Sequence, residues 1–130
     1  MSQDSTAQRP SPAVTIVIDA ALVVVFCLLG GLSHSLGEPD AVARIVSSIW
    51  PFLAALVVVH AVALATRVDA ARVVPGILIW IVTLGGGMAL RALTGQGTAW
   101  AFVVVAAVTL AIFLIGWRLI NLLVQRRRSR

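Results

Sequence analysis

Long apolar stretches alternate with short polar breaks along this chain. The apolar runs lie at about 13–33, 46–66, 73–92 and 99–124. Each is about 20 residues or longer, the length at which an α-helix crosses a hydrocarbon layer of about 30 Å. The pattern predicts an all-α membrane protein, a four-transmembrane-helix bundle with little chain outside the bilayer. Residues 1–12, polar and with two prolines, read as a disordered tail, 13–124 as the membrane domain and 125–130 as a basic tail. The first run is long, contains Asp19 and lacks a small-residue cleavage pattern, so it reads as a span rather than a removable signal.

Local punctuation sets the expected helix ends. Ser47 and Ser48 precede Trp50 and Pro51, which suits a helix start, because a first-turn proline lacks only an N–H that has no partner there. Pro75 does the same for the third span. In the longest connection, Asp40 stands four residues before Arg44, a spacing that extends the second span backwards by a short helical piece. Gly85 with Ala89, Ala61 with Ala65 and Ala107 with Ala111 have the small-xxx-small spacing of close helix contacts.

The two halves share short likenesses. Trp50-Pro51-Phe52 and Trp100-Ala101-Phe102 open the second and fourth spans, and 57–64 resembles 103–110. Two duplicated helical hairpins are one source of such likeness; chance matching among Val, Ala and Leu is the other.

Composition sharpens the class. Hydrophobic residues are 60% and charged residues 12% of the chain, against about 25% charged in soluble domains. All ten basic residues are Arg, the acids number five, and the net charge is +5. The arginines gather at span ends, which excludes the soluble nucleic-acid-binding class and points to topology and to anionic lipids at the basic C-terminus. Arg9, Arg67, Arg72 and the closing Arg126, Arg127, Arg128 and Arg130 fall on one side, Arg44 and Arg91 on the other. The positive-inside rule then predicts both termini in the cytoplasm of a cell whose inner (plasma) membrane holds the chain as a multi-pass protein. Trp50, Trp100 and Trp117 fall near span ends, as an aromatic belt requires.

Three polar residues interrupt the runs: Asp19, His60 and Arg118. Each lies about six residues from the same side of the membrane, about 9 Å deep at the helical rise, and Trp80 falls near that level. A charge at the bilayer centre costs about 2.5–3.5 kcal/mol on the insertion scale, so such residues face the bundle interior and pair. Two readings follow. In one, Asp19 and Arg118 form a structural ion pair, with His60 bonded nearby and Trp80 packed over the guanidinium. In the other, Asp19 and His60 exchange protons and Arg118 tunes the carboxylate. A second cluster, Ser33, His34, Arg91 and Gln96, faces the opposite side and reads either as an anion-attracting mouth or as ordinary interfacial polarity.

No catalytic constellation is present in the sequence, so an enzyme is not expected. His34 and His60 lie at opposite depths, which argues against a shared metal. The single cysteine, Cys27, offers no intramolecular disulfide. No cofactor is implied.

The arrangement resembles a known family. Asp19 in the first span, Gly30-Gly31-Leu32-Ser33-His34, Trp50-Pro51-Phe52, the glycine-rich third span ending at Arg91, Gly97-Thr98-Ala99-Trp100 and Gly116-Trp117-Arg118 are similar to the prokaryotic domain of unknown function 3054. The resemblance covers nearly the whole chain outside the tails. It implies a small, four-span membrane protein and draws attention to Asp19, His34, Arg91 and Arg118, without supplying a mechanism.

Two functions stand side by side. One is a small transporter or channel component centred on the Asp19, His60 and Arg118 layer, working as a homo-oligomer because four helices enclose little volume. The other is a non-transporting membrane partner or assembly subunit of a larger membrane complex.

Overall fold

A computed structural model of the chain describes residues 9–130. Residues 1–8 of the expected disordered tail lie outside the described residues. Four helices follow one another: α1 (Pro12–Ser35), α2 (Ala41–Ala65), α3 (Val73–Leu93) and α4 (Trp100–Arg128). Each is long and apolar enough to cross a membrane. They run up and down in chain order, α1 beside α2, α2 beside α3 and α3 beside α4, and the ring closes through a thinner α1–α4 seam. One end of the bundle, here the terminal end, carries Pro12 and Arg128; the other is the loop end.

The helix ends show why these boundaries fall where they do. Ser11 caps α1, its Oγ accepting from the Val14 N–H at 3.3 Å, and Pro12 stands in the first turn. α2 begins at Ala41, directly after Asp40, so the extra helical piece is continuous with the span. Pro51 consequently sits in the helix interior and is buried rather than opening the span. Both α2 and α3 end in the same left-handed turn. Arg67 (φ 55°) and Gly95 (φ 71°) supply the left-handed residue. The next N–H then reaches back to the helix, from Val68 to the Ala63 carbonyl and from Gln96 to the Arg91 carbonyl. α4 runs on to Arg128, so most of the expected basic tail is helical. Its arginines face the negative end of the helix dipole, which favours them there.

Between the helices the core is layered. Val23, Leu56, Ile79, Leu110 and Leu114 fill the middle, and all are buried. Phe26, Phe52 and Phe102 meet nearer the loop end, with the first two rings edge to face at 5.6 Å. Lipid offers no hydrophobic drive between helices, so close packing of small residues holds them together. The stripe that does so on α3 is Gly76, Ile79, Thr83 and Gly87. A side chain at Gly87 would run into the Phe52 ring, and one at Gly76 into the Arg118 side chain. Two of the three small-xxx-small pairs named from spacing lie elsewhere: Gly85, Ala89, Ala61 and Ala65 are exposed, and a Cβ at Gly85 would meet nothing. One buried polar atom, Thr83 Oγ1, has no partner among the described residues.

The two glycines give opposite expectations. Gly87→Val should lower stability by about 1–3 kcal/mol, because the buried Phe52 ring has nowhere to go. Gly85→Ala should leave it level or raise it by about 0.5–1 kcal/mol, through helix propensity alone. Thermal unfolding of the purified variants in one detergent measures both; equal effects would show that Gly87 does not seat Phe52.

Candidate functional site

At the terminal end, α1, α2 and α4 each place one ionisable side chain at a single point. Asp19 is fully buried, as are His60 and Arg118 to within a few per cent. Arg118 meets the carboxylate with both ends of its fork, NH1 donating to Oδ1 at 2.9 Å and NH2 to Oδ2 at 2.6 Å. The planar guanidinium and planar carboxylate match in this two-point geometry, which adds direction to charge. The indole N–H of Trp117 donates to Oδ1 at 2.8 Å. His60 Nε2 lies 2.8 Å from Oδ2. Each oxygen thus has two partners, close to the four lone-pair sites a carboxylate offers.

Two further Arg118 donors go to the backbone. Nε donates to the Ala70 carbonyl at 2.8 Å and NH1 also to the Leu114 carbonyl at 2.6 Å. The α2–α3 loop presents Ala70 because Asp69 folds it. The Asp69 side chain accepts from the Ala71 N–H at 3.1 Å, and the Asp69 carbonyl from the Arg72 N–H at 3.2 Å. Asp69 is held on its other side by Arg9 at 3.1 Å, so the segment preceding α1 is tied to this loop. Gly76 completes the enclosure on α3, leaving room for the Arg118 side chain. All four helices and one loop therefore meet at one buried ion pair.

Trp80 does not belong to this group. Its indole N–H donates to the Ala107 carbonyl of α4 at 2.9 Å. The aromatic ring beside the guanidinium is that of Trp117, 4.6 Å from the Arg118 carbon. Trp80 shares the face of α3 with Gly76, the residue that faces Arg118, but stands one turn further along, away from the guanidinium. The sequence places Trp117 only in the aromatic belt. The signal that would have found it is its position directly before Arg118, at the same depth.

The loop-end residues separate into two sets. Arg91 and Gln96 are joined: Arg91 NH1 donates to Gln96 Oε1 at 3.0 Å, and Nε and NH2 donate to the Gly97 carbonyl at 3.2 and 2.9 Å. Gln96 Nε2 in turn donates to the Ser47 carbonyl at 3.1 Å. Ser47 is four residues before Pro51, so its carbonyl is the one that the missing proline N–H leaves without a helical donor. Gln96 supplies that donor from the α3–α4 loop. Ser33 turns back on its own helix, Oγ donating to the Leu29 carbonyl at 2.7 Å. His34 is exposed and stands at the edge of a cavity rather than in the Arg91–Gln96 pair.

Two cavities enter the bundle from its opposite ends. That at the terminal end, about 660 Å³, is lined by Arg9, Arg67, Arg72, Asn121 and Gln125 and reaches Arg118. That at the loop end, about 530 Å³, lies between α1 and α4 above Phe26 and Phe52.

Four apolar helices bolted by a buried carboxylate–guanidinium pair define a bundle that fits an integral membrane protein. The chain belongs to the family described as protein of unknown function (DUF3054), whose pattern matches residues 16–121. No curated protein and no solved structure matches it.

Removing one member of the pair strands the other. Asp19→Asn or Arg118→Gln should each cost about 3–5 kcal/mol, whereas Asp19→Leu with Arg118→Met should recover most of that loss. Unfolding titrations of the three variants decide the point; a double variant as unstable as the singles would mean that the charges do more than neutralise each other. At the loop end, Gln96→Ala should cost about 1 kcal/mol in the native background and much less beside Pro51→Ala, where the helix regains its own donor. A double-mutant cycle measures that coupling, and additive losses would refute the repair of the proline gap by Gln96.

Proposed function

We propose that the protein is a non-transporting membrane subunit, a stiff four-helix body that joins or steadies a larger membrane complex. The observation that carries this reading is the saturation of Asp19. It is the only acid within the four helices, and Arg118, Trp117 and His60 occupy both its oxygens. A cation passing through the bundle needs free carboxylate lone pairs and a net negative site; here a guanidinium supplies the balancing charge. Broad exposed faces, with Val57, Val58, Ile77 and Leu78 among them, give a partner helix or lipid a long apolar surface. In this reading both termini lie in the cytoplasm of a plasma-membrane protein, on the distribution of arginines, and the basic C-terminus rests on anionic lipid.

A second reading is supported by the two cavities, which approach the core from opposite ends and carry arginines at their mouths. It makes the protein a transporter component, acting as a homo-oligomer and handling an anion more readily than a cation.

Proteoliposome flux separates the two. The subunit reading expects no flux over a panel of ions and pH gradients, together with a membrane protein that co-purifies in fixed ratio after mild extraction. Flux in the native protein that disappears in a folded Asp19→Asn variant would overturn it and establish the transport reading. Recovery as a lone monomer would remove the subunit reading on its own.

A further inference from the structure

The loop-end cavity has a polarity that its surroundings do not explain. Its walls are apolar: Phe26 and Gly30 from α1, Phe52 from α2, Phe102 and Val105 from α4. Val105 is 59% exposed, so the cavity opens sideways, through the α1–α4 seam, towards the hydrocarbon. Its rim is basic. Arg44, Arg91 and His34 all line it, and each lies near the loop end of its helix.

The arginines at this rim have no ion-pair partner among the described residues. Among the described residues the acids in ion pairs are Asp19 and Asp69, both at the terminal end. Glu38 and Asp40, in the nearby loop, neither line the cavity nor reach ion-pair distance of Arg44 or Arg91. Arg91 is half-buried, lies with its guanidinium carbon 4.5 Å from the centre of the Phe102 ring, and bonds only neutral oxygens. A guanidinium so placed, at the top of an apolar slot, keeps an unmatched positive charge where hydrocarbon gives way to water.

We infer that this slot binds an anionic phospholipid of the adjoining leaflet, one acyl chain between α1 and α4 and the phosphate at Arg44 and Arg91. The volume, about 530 Å³, falls within the span of about 300–1,000 Å³ typical of small-ligand sites. Lateral access suits a molecule that arrives from the bilayer and not from water. Arginine above an apolar wall is the chemistry that a phosphate with an attached chain satisfies. The site is independent of the Asp19 cluster and of the subunit reading.

Gly30 makes the inference testable. A Cβ there would meet nothing within 4 Å, and Gly30 lines the cavity, so Gly30→Leu projects a side chain into the slot. Arg44 is exposed, so Arg44→Gln removes rim charge without uncovering a buried group. Native mass spectrometry of the full chain in mild detergent, titrated with phosphatidylglycerol, phosphatidylcholine or oleate, reads occupancy directly. The expected result is about tenfold tighter retention of phosphatidylglycerol than of phosphatidylcholine, near-complete loss in Gly30→Leu, and a weakening of about fivefold in Arg44→Gln, the effect of one basic residue at a charged surface. Melting temperatures should match the native protein's in both variants. Equal retention of the two phospholipids, binding of oleate alone, or a Gly30→Leu protein that keeps its lipid would each overturn the site. If Gly30→Leu failed to fold, undiminished phosphatidylglycerol retention in Arg44→Gln would overturn it by itself. A dimer dissolved by Gly30→Leu, with no change in lipid occupancy, would assign the slot to a second copy of the chain.

Discussion

A carboxylate inside hydrocarbon is tolerated only when something nearby balances and hydrogen-bonds it, and in this protein that demand organises the rest. Asp19 draws α4 towards α1 through Arg118 and Trp117, and α2 through His60. Arg118 is too large for an ordinary helix contact, so α3 yields space at Gly76. Its Nε–H then fixes the α2–α3 loop through the Ala70 carbonyl. The register of four helices follows from satisfying one acid and one base. An apolar bundle without such a centre has side-chain packing alone to set its register, because lipid offers no hydrophobic drive between helices.

The loop end solves a different problem by similar means. Pro51 breaks the backbone pairing of α2 in its interior, and a side chain from another part of the chain restores it. That Gln96 is available depends on the left-handed turn at Gly95, which folds the chain back over the end of α3, beside Arg91. The polar residues at this end that take part are thus fastened to backbone. What is left over is the positive charge of the rim and the apolar slot beneath it.

The apolar runs made the four helices legible, because length and hydropathy alone decide whether a segment can span. Depth was legible as well: counting residues from the helix ends put Asp19, His60 and Arg118 at one level, and the structure brings them into contact. Direction around the helix axis was not. Each residue turns the side chain by about 100°, and in a chain apolar on nearly every side no stripe marks the inward face. That is why Gly85 and Ala89 stand out in the sequence over Gly76 and Gly87, whereas Trp80 shares the Gly76 face and misses Arg118 by one turn of depth. The backward extension of α2 was legible in Asp40 and Arg44, but Pro51 reads as a first-turn residue unless its missing hydrogen bond is known to be repaired by Gln96. The Ala70 carbonyl leaves no mark in a sequence, since every residue has one.

The distance along the chain between Asp19 and Arg118, 99 positions, bears on how the protein is made. α1 enters the membrane with its acid unmatched. His60 arrives 41 positions after Asp19 and offers a first hydrogen bond, but the balancing charge comes only with the last span. The bundle therefore cannot lock until α4 has entered the membrane. Chains that stop short of α4 lack the base that balances Asp19, which sets them apart chemically from chains that carry it.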